Sequence, residues 1–416
     1  MLAVLSDYVQ KHALYPAHID KKPASDLGIC VVVPCFNEEN ITGILQCLYD
    51  CNRPNVAVEV LVVLNAPENA SNDIRQRHKQ LTSDFNEWKE QHPDKKIQYY
   101  LIKEEFLPLK DAGVGLARKI GMDEAVYRFL QCHQAHGVIA NIDADCTCAP
   151  NYLTELEKLF NQENINACSI RFEHPMQGND FDEEVYKDAV QYELYLHYYM
   201  LALKNIGHPF AFHTVGSCFA VRTDVYCKQG GMNKRKAGED FYFLQKVIPL
   251  GHYAELNTTC VYPSPRPSLR VPFGTGASID KMLKNHDSCY YTYDIHAFED
   301  LSVLLSCIPD LFYKKNIVSV PEPLHSFLVK YEMNHHVAEI IQNTSTIKTF
   351  TLRFYRWFNA FMVLKYMNYS HAHFYQKRPV EEMAVALLKK YKPNESVSLL
   401  SPEEILVTFR KWVYKL

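Results

Sequence analysis

The sequence predicts an α/β protein with a mostly parallel central sheet, plus an α-helical C-terminal region. Short apolar runs alternate with longer amphipathic stretches in the first part of the chain, and strands that alternate with helices form parallel sheets with right-handed crossovers. Glycine, with 15 occurrences, is absent after Gly276, where a helical pattern replaces the alternation. We therefore predict three parts: an N-terminal arm (1–26), an α/β domain (27–276) and a helical C-terminal region (277–416).

The composition is that of a folded globular protein, with 416 residues, 47% of them hydrophobic and 22% charged. A net charge of −4 and the lack of a long basic run argue against a nucleic-acid partner. The sequence has no apolar run of about 18 residues and no N-terminal signal pattern, so neither a transmembrane helix nor secretion is predicted.

The 13 cysteines are scattered along the chain, as is typical of reduced cytosolic proteins. We therefore expect a cytoplasmic protein. Peripheral contact with the inner face of the membrane is an open alternative, because residues 350–365 mix aromatic and basic side chains.

The first predicted strand is the apolar run at residues 29–34, which is too short for a helix and suits the centre of a parallel sheet. Pro34 ends this run, and a polar segment containing Asn37 and Glu38 follows. Apolar residues then recur at helical spacing, at Ile41, Ile44, Leu45 and Leu48. Acidic residues suit the positive N-terminal end of such a helix, so this stretch is a strand–loop–helix unit.

Similar units follow in order along the chain. Further strands are predicted at residues 56–64, 97–102, 137–142, 167–172 and around 212–222. Helices are predicted between and after them, at 71–91, 113–129, 151–160, 180–204, 223–229 and 238–247. After a proline-rich loop at 261–276, helices are predicted at 298–308, 326–339, 346–369, 380–391 and 402–412.

Two acidic residues, Asp143 and Asp145, stand at the end of the strand predicted at 137–142. Residues i and i+2 of a strand point to the same side, and ligands of open α/β sheets gather at the carboxyl ends of the strands. Two carboxylates suit Mg²⁺ or Mn²⁺, which commonly binds substrate phosphates as well. The pattern therefore indicates a metal–diphosphate site, and an ordinary polar turn is the alternative.

Four motifs along the chain resemble those of a known family. They are Val31-Val32-Val33-Pro34-Cys35-Phe36-Asn37-Glu38, Gly113-x-Gly115-x-x-Arg118, Asp143-Ala144-Asp145, and Gly230-Gly231 followed by Glu239-Asp240. Their order and spacing resemble a family 2 glycosyltransferase with the GT-A (nucleotide-diphospho-sugar transferase) fold. The resemblance covers roughly residues 27 to 276.

The resemblance implies a site for a nucleotide-diphosphate sugar and a divalent cation, Mg²⁺ or Mn²⁺. Asp145 would bind the metal, and Asp143 would contact the metal or the donor ribose. Other implied donor contacts are Pro34, Asn37 and Glu38 at the nucleoside, Asn65 at the base, Arg118 at the diphosphate or donor sugar, and Arg266 and Arg270 in a loop over the diphosphate. Lys110 and Lys119 are secondary candidates, and a solvated helix face is the alternative for Lys119. Gly113 and Gly115 would allow close backbone approach.

The resemblance also places a general base at Asp240, which would take the proton of the acceptor hydroxyl. Direct displacement of this kind inverts the anomeric configuration. The alternative for Asp240 is a carboxylate that only complements the dipole at a helix N-terminus.

Together these inferences predict a soluble, hexosyltransferase-like enzyme that moves one sugar to an acceptor hydroxyl with metal assistance. The acceptor is left open among saccharides, polyols and lipid-linked molecules. Two alternatives stay open: a retaining GT-A transferase, and a non-catalytic sugar- or nucleotide-binding protein with the same fold. A sugar-nucleotide pyrophosphorylase is disfavoured because acidic residues follow the first strand, where such an enzyme carries a Gly-rich loop with Arg and Lys.

Overall fold

The structure is a computed structural model that describes residues 1–162, 164–285, 289–314, 319–391 and 400–415. Its strands are β1 (Leu27–Cys35), β2 (Ala57–Pro67), β3 (Ile97–Leu107), β4 (Val138–Asn141), β5 (Thr147–Cys148), β6 (Ala167–Phe172), β7 (Phe219–Arg222), β8 (Tyr253–Tyr262), β9 (Tyr291–Thr292) and β10 (Arg378–Pro379). Its helices are α1 (Leu2–His12), α2 (Thr42–Tyr49), α3 (Asn72–Gln91), α4 (Val114–Gln131), α5 (Tyr152–Phe160), α6 (Glu183–Asn205), α7 (Thr223–Lys228), α8 (Glu239–Val247), α9 (Thr275–Asn285), α10 (Ile295–Ser306), α11 (Ile308–Lys314), α12 (Glu322–Lys330), α13 (Met333–Gln342), α14 (Ile347–Trp357), α15 (Ala360–His373), α16 (Val380–Tyr391) and α17 (Pro402–Tyr414).

The chain divides into two compact units. The first, which we call the sheet unit, consists of Met1–Pro175 and Thr214–Ala277. The second, the helical unit, consists of Met176–His213 and Ser278–Leu416. None of the helices in the described ranges combines the length and the apolar character needed to cross a bilayer.

The sheet unit is organised around an eight-stranded sheet in the order β3-β2-β1-β4-β7-β6-β8-β5. Strand β1 lies between β2 and β4 and pairs with both in parallel. Strand β7 runs antiparallel to both of its neighbours, and β5 runs antiparallel to β8. The predicted mixed α/β fold with a mostly parallel sheet is confirmed, and its parallel part carries β1 and β4 side by side.

The N-terminal segment packs into the sheet unit through α1. Leu5 and Tyr8 of this helix are buried, and the Tyr8 hydroxyl donates a hydrogen bond of 2.7 Å to Asp123 Oδ1 in α4. Gly231, at φ +72°, lies against the Tyr8 ring, where a Cβ atom would overlap the hydroxyl. The segment predicted as an arm is therefore part of the sheet unit, because its apolar face is covered by α4 and α7.

The helical unit includes α6, which the sequence analysis placed in the α/β domain. Leu194, Tyr198 and Leu201 of this helix are buried in one apolar cluster with residues of the C-terminal helices, such as Phe327 and Leu387. The structural division therefore differs from the predicted boundary at residue 276. The two differ because α6 buries its apolar side chains in the core of the helical unit.

Candidate active site

The predicted site residues that follow β1 and β4 lie at one edge of the sheet. Val32 of β1 pairs with Asn141, the last residue of β4, so both strands deliver their following loops to the same edge. Glu38 follows β1, and Asp143 and Asp145 follow β4. This edge is where open α/β sheets bind ligands, because the loops after parallel strands converge there.

Two arginines from the loop after β8 bind these acidic residues. Arg266 Nη2 donates hydrogen bonds to Glu38 Oε2 at 2.7 Å and to Asp145 Oδ2 at 3.0 Å. Arg270 Nη1 forms an ion pair with Glu38 Oε1 and donates to the Phe36 carbonyl at 2.7 Å. The loop that was predicted to cover a diphosphate is thus held at the carboxyl ends of β1 and β4 by charge-assisted contacts.

Asp145 and Glu38, the two carboxylates that Arg266 binds, have raised pKa values. Burial, with the nearby charges of Asp143 and Glu38, raises the pKa of Asp145 to about 7, and Arg266 offsets part of this effect. Burial also raises the pKa of Glu38, again partly offset by Arg266. Crowded carboxylates of this kind favour a nearby positive charge, because a cation stabilises their ionised forms.

Arg118 holds together two carboxylates from distant parts of the chain. Its guanidinium forms ion pairs with Asp143 Oδ1 and Glu239 Oε1, and only 4% of the Arg118 side chain is exposed. Burial by itself lowers the pKa of Arg118, but the charges of Asp143 and Glu239 outweigh it and raise that pKa. Gly216 packs against the guanidinium, since a Cβ atom there would lie 2.8 Å from Arg118 Cζ. Arg118 is therefore placed to position Asp143.

Lys119, the next residue, lies in a different environment. Its ammonium donates to the Tyr8 hydroxyl at 2.9 Å and pairs with Asp123 at 2.9 Å. This buried network ties α1 to α4, so Lys119 has a structural role and its side chain is not on a solvated face.

Gly113 and Gly115 allow close approach of another protein segment. A Cβ atom at Gly113 would lie 3.1 Å from Lys236 Cα, and one at Gly115 would lie 2.9 Å from Glu239 Cβ and overlap the Arg235 carbonyl. The expected close backbone approach is present, but its partner is the segment before α8. These glycines thus bring Glu239 within reach of Arg118.

We expect Gly115→Ala to lower the free energy of unfolding by about 1–3 kcal/mol, because the added methyl group must displace the Arg235 backbone. The matched control is Gly43→Ala in α2, where the nearest atom to a new Cβ is 4.0 Å away. This control should be neutral or slightly stabilising, since alanine favours helix. Urea denaturation measures both changes, and equal stability of the two variants would contradict this packing.

Asp240 is the second residue of α8, beside the buried Glu239. Its Oδ1 accepts a hydrogen bond of 2.7 Å from the Phe241 backbone N–H. Burial and the charge of Glu239 raise the pKa of Asp240 to about 7, although Arg118 acts in the opposite direction. A carboxylate with this pKa can take up a proton near neutral pH, as general bases do.

The remaining predicted residues lie at the ends of β1 and β2. Pro34 is buried within β1, and Asn65 is buried near the end of β2. Asn37 adopts a left-handed conformation with φ 50°, and its backbone N–H donates to His78 Nε2 at 3.2 Å. His78 was not predicted as a site residue; it lies on the buried face of α3.

One part of the chain matches a known protein family. Residues 30–228 match Glycosyl transferase family 2, a span that includes β1, Arg118 and the Asp143–Asp145 pair. This region of the chain therefore matches a family of glycosyltransferases. The resemblance seen in the sequence is therefore confirmed. No curated protein sequence matches the chain significantly.

Solved structures of two proteins show distant similarity to this chain. S. aureus TarS 1-349 in complex with UDP-GlcNAc has 12% identity and a TM-score of 0.38, with 93% of this chain and 92% of that chain covered. The mannosyltransferase PcManGT from Pyrobaculum calidifontis, in complex with GDP-Man and Mn²⁺, has 15% identity and a TM-score of 0.36, with coverages of 99% and 92%. Another S. aureus TarS structure matches at 15% identity and a TM-score of 0.35 over 57% of this chain and 36% of its own. All three TM-scores are below 0.5, so the structural similarity is distant.

Proposed function

We propose that this protein transfers one sugar from a nucleotide-diphosphate sugar to an acceptor hydroxyl, with inversion at the anomeric carbon. The observation that carries this proposal is the convergence of Arg266 and Arg270 on Glu38 and Asp145 at the ends of β1 and β4. Guanidinium groups bind phosphate oxygens as they bind carboxylates. A donor diphosphate can therefore take the place of the carboxylates as the partner of these arginines.

A divalent cation, Mg²⁺ or Mn²⁺, fits the acidic residues beside the arginines. Asp143 and Asp145 expose 36% and 34% of their side chains and offer the hard oxygen ligands that these ions prefer. Arg118 binds Oδ1 of Asp143, whose Oδ2 accepts no hydrogen bond within the described part of the chain. When bound, such a cation stabilises the negative charge of a departing diphosphate.

The proposed reaction uses Asp240 as the proton acceptor. The acceptor oxygen forms a bond to the anomeric carbon while the bond from that carbon to the diphosphate oxygen breaks. The acceptor proton passes to the Asp240 carboxylate, and the nucleoside diphosphate leaves with the bonding electron pair. Arg266 and Arg270 offset the charge that grows on the diphosphate, so they are expected to bind the transition state more strongly than the donor.

The nucleoside is proposed to lie against the loop after β1 and the end of β2. Pro34, Asn37 and Asn65 border this region, and His78 fixes the loop through the Asn37 N–H. Arg118 is proposed to be a positioning residue that acts through Asp143, because its own side chain is buried between two carboxylates.

The experiment that tests this function is a thermal-shift panel of UDP, GDP and their common sugar conjugates, each with and without Mn²⁺. A ligand at a hundred times its Kd stabilises the folded protein by about 2.7 kcal/mol, which corresponds to a melting shift of several degrees. We expect a metal-dependent shift with one nucleotide, followed by release of nucleoside diphosphate from its sugar conjugate when an acceptor is added. A shift without any turnover across acceptors would favour the non-catalytic binding protein, and no shift with any nucleotide would contradict the proposal.

A further inference from the structure

Three cysteine thiols meet between α2 and β5, next to the candidate site. Cys47 lies in the last turn of α2, Cys51 lies two residues after the end of this helix, and Cys148 is the last residue of β5. The Cys148 sulfur lies 3.5 Å from the Cys47 sulfur and 3.7 Å from the Cys51 sulfur. No disulfide joins them, although bond formation between Cys47 and Cys148 requires the sulfurs to approach by only about 1.5 Å, to the usual S–S distance of about 2 Å.

Cys47 has the features of a reactive thiol. It is partly exposed, whereas Cys51 and Cys148 are buried. The Cys148 backbone N–H donates to Cys47 Sγ at 3.1 Å, and this bond favours a thiolate. The hydrogen bond from the Cys148 thiol outweighs burial and lowers the pKa of Cys47 to about 7. Reactive cysteines combine a lowered pKa with exposure and a nearby resolving thiol.

The donor-site acids lie in the loops that precede α2 and β5, the elements that carry Cys47 and Cys148. Glu38 lies four residues before α2, and Asp145 lies three residues before Cys148. Arg266 binds both carboxylates, so its two contacts depend on the distance between the two loops. Strand β5 has only two residues, and in the described part of the chain it pairs only with β8, so little strand pairing opposes a displacement of its end.

We propose that Cys47 is an oxidation site whose disulfide with Cys148 pulls β5 towards α2 and displaces Asp145, which weakens donor binding. The coupling to donor binding rests on the proposed function, whereas the oxidation site itself does not. Oxidation of Cys47 would thus regulate donor binding from within the sheet unit.

The chemistry requires a hydroperoxide as the oxidant. The Cys47 thiolate attacks a peroxide oxygen, the O–O bond breaks, and hydroxide leaves, so Cys47 becomes a sulfenic acid. The Cys148 thiol then loses its proton and attacks the Cys47 sulfur, and the sulfenic oxygen leaves as hydroxide, which takes up a proton. The sum is two thiols and one hydrogen peroxide converted to one disulfide and two waters, and a dithiol reverses it.

The first arm of the test is peptide mapping by mass spectrometry after treatment of the full chain with hydrogen peroxide. We expect the Cys47–Cys148 disulfide to form before other cysteines react, with Cys132 as the internal control, because it is also partly exposed but burial raises its pKa. Cys51→Ser should keep this disulfide. Cys148→Ser should instead accumulate a sulfenic acid on Cys47 that dimedone traps. Oxidation of Cys132 before Cys47, or no dimedone adduct on Cys47 in Cys148→Ser, would overturn the proposal.

The second arm compares nucleotide affinity in the reduced and oxidised protein, using whichever of UDP and GDP stabilises the reduced form. We expect oxidation to weaken binding on the order of tenfold or more, with recovery after dithiothreitol and no effect of peroxide on Cys47→Ser. A disulfide that leaves the affinity unchanged would overturn the coupling. If neither nucleotide binds the reduced protein, the proposed function fails, while the peptide map still decides whether the oxidation site exists.

Discussion

Asp240→Asn is expected to lower kcat by about 10²–10⁴-fold while the donor Kd changes little, because the amide cannot accept the acceptor proton. The fold should tolerate the change, since burial and Glu239 disfavour the charge on Asp240 and asparagine removes that charge. Steady-state kinetics and donor titration measure the two quantities. Glu239→Gln is the control at the neighbouring residue. It removes the charge that pairs with the buried Arg118, so it should lower the free energy of unfolding, whereas Asp240→Asn should not. Turnover above a tenth of the parent value in Asp240→Asn would exclude Asp240 as the base.

The pH dependence of turnover follows from the same group. Asp240 must be ionised to act as a base, so kcat/KM should rise with pH and level off above its pKa of about 7. Its pKa in the folded protein lies above the unfolded value of about 3.9, so the folded state holds this proton more tightly. The stability that this group contributes is therefore present at low pH and is lost as pH rises through about 7. In Asp240→Asn, both the rise of kcat/KM with pH and the loss of stability with pH should disappear. If the residual activity of this variant still rises with pH as in the parent protein, another group controls the pH profile.

Asp145→Ala is expected to abolish the metal-dependent part of donor binding. Removal of a residue that only orients a metal ligand commonly lowers metal affinity by about 10–100-fold. Loss of the ligand itself should therefore weaken donor binding by at least about 100-fold in the presence of Mn²⁺. Arg266 also loses its 3.0 Å contact with this carboxylate but keeps Glu38. Isothermal titration of the donor, with Mn²⁺ and with EDTA, measures the effect.

The control for Asp145→Ala is Asp20→Ala, which removes an exposed carboxylate that is not among the candidate site residues. Its donor affinity and its response to EDTA should match the parent protein. If Asp145→Ala shows the same gain in affinity from Mn²⁺ as the parent, Asp145 does not bind the cation and the metal site is elsewhere.

The parallel part of the sheet could be predicted because its strands are buried on both faces. β1 and β2 are almost entirely buried, so their sequences are continuous apolar runs with clear ends. β7 was predicted within the longer range 212–222, and its antiparallel pairing with β4 and β6 has no local signal. The two-residue β5 was not predicted, since a strand this short shows no periodicity.

The helical unit shows where periodicity misleads. The single helix predicted at 326–339 is two helices, α12 and α13, separated where Glu332 adopts a φ of 51°. The helix predicted at 346–369 is also divided, and the Asn359 side chain caps the start of α15. The asparagine is a recognisable N-cap signal, whereas Glu332 at positive φ is not, because glutamate rarely adopts that conformation.

The candidate site was predictable to the extent that its residues lie at strand ends and in ordered motifs. Asp143, Asp145 and Glu38 meet at one edge because β1 and β4 are neighbours. The pairing of Arg118 with Glu239 was not predictable, since 121 positions separate the two residues. The same holds for Cys47 and Cys148, which are 101 positions apart and share no spacing that marks a site.

The most direct test of the central claim is a crystal structure of the protein with Mn²⁺ and the nucleoside diphosphate that stabilises it. The account predicts Mn²⁺ bound to Asp145, and diphosphate oxygens bound to Arg266 and Arg270, with at least one of the arginine contacts to Glu38 or Asp145 broken. A diphosphate bound elsewhere, with Arg266 and Arg270 still paired to Glu38 and Asp145, would contradict the proposal that this cluster is the donor site.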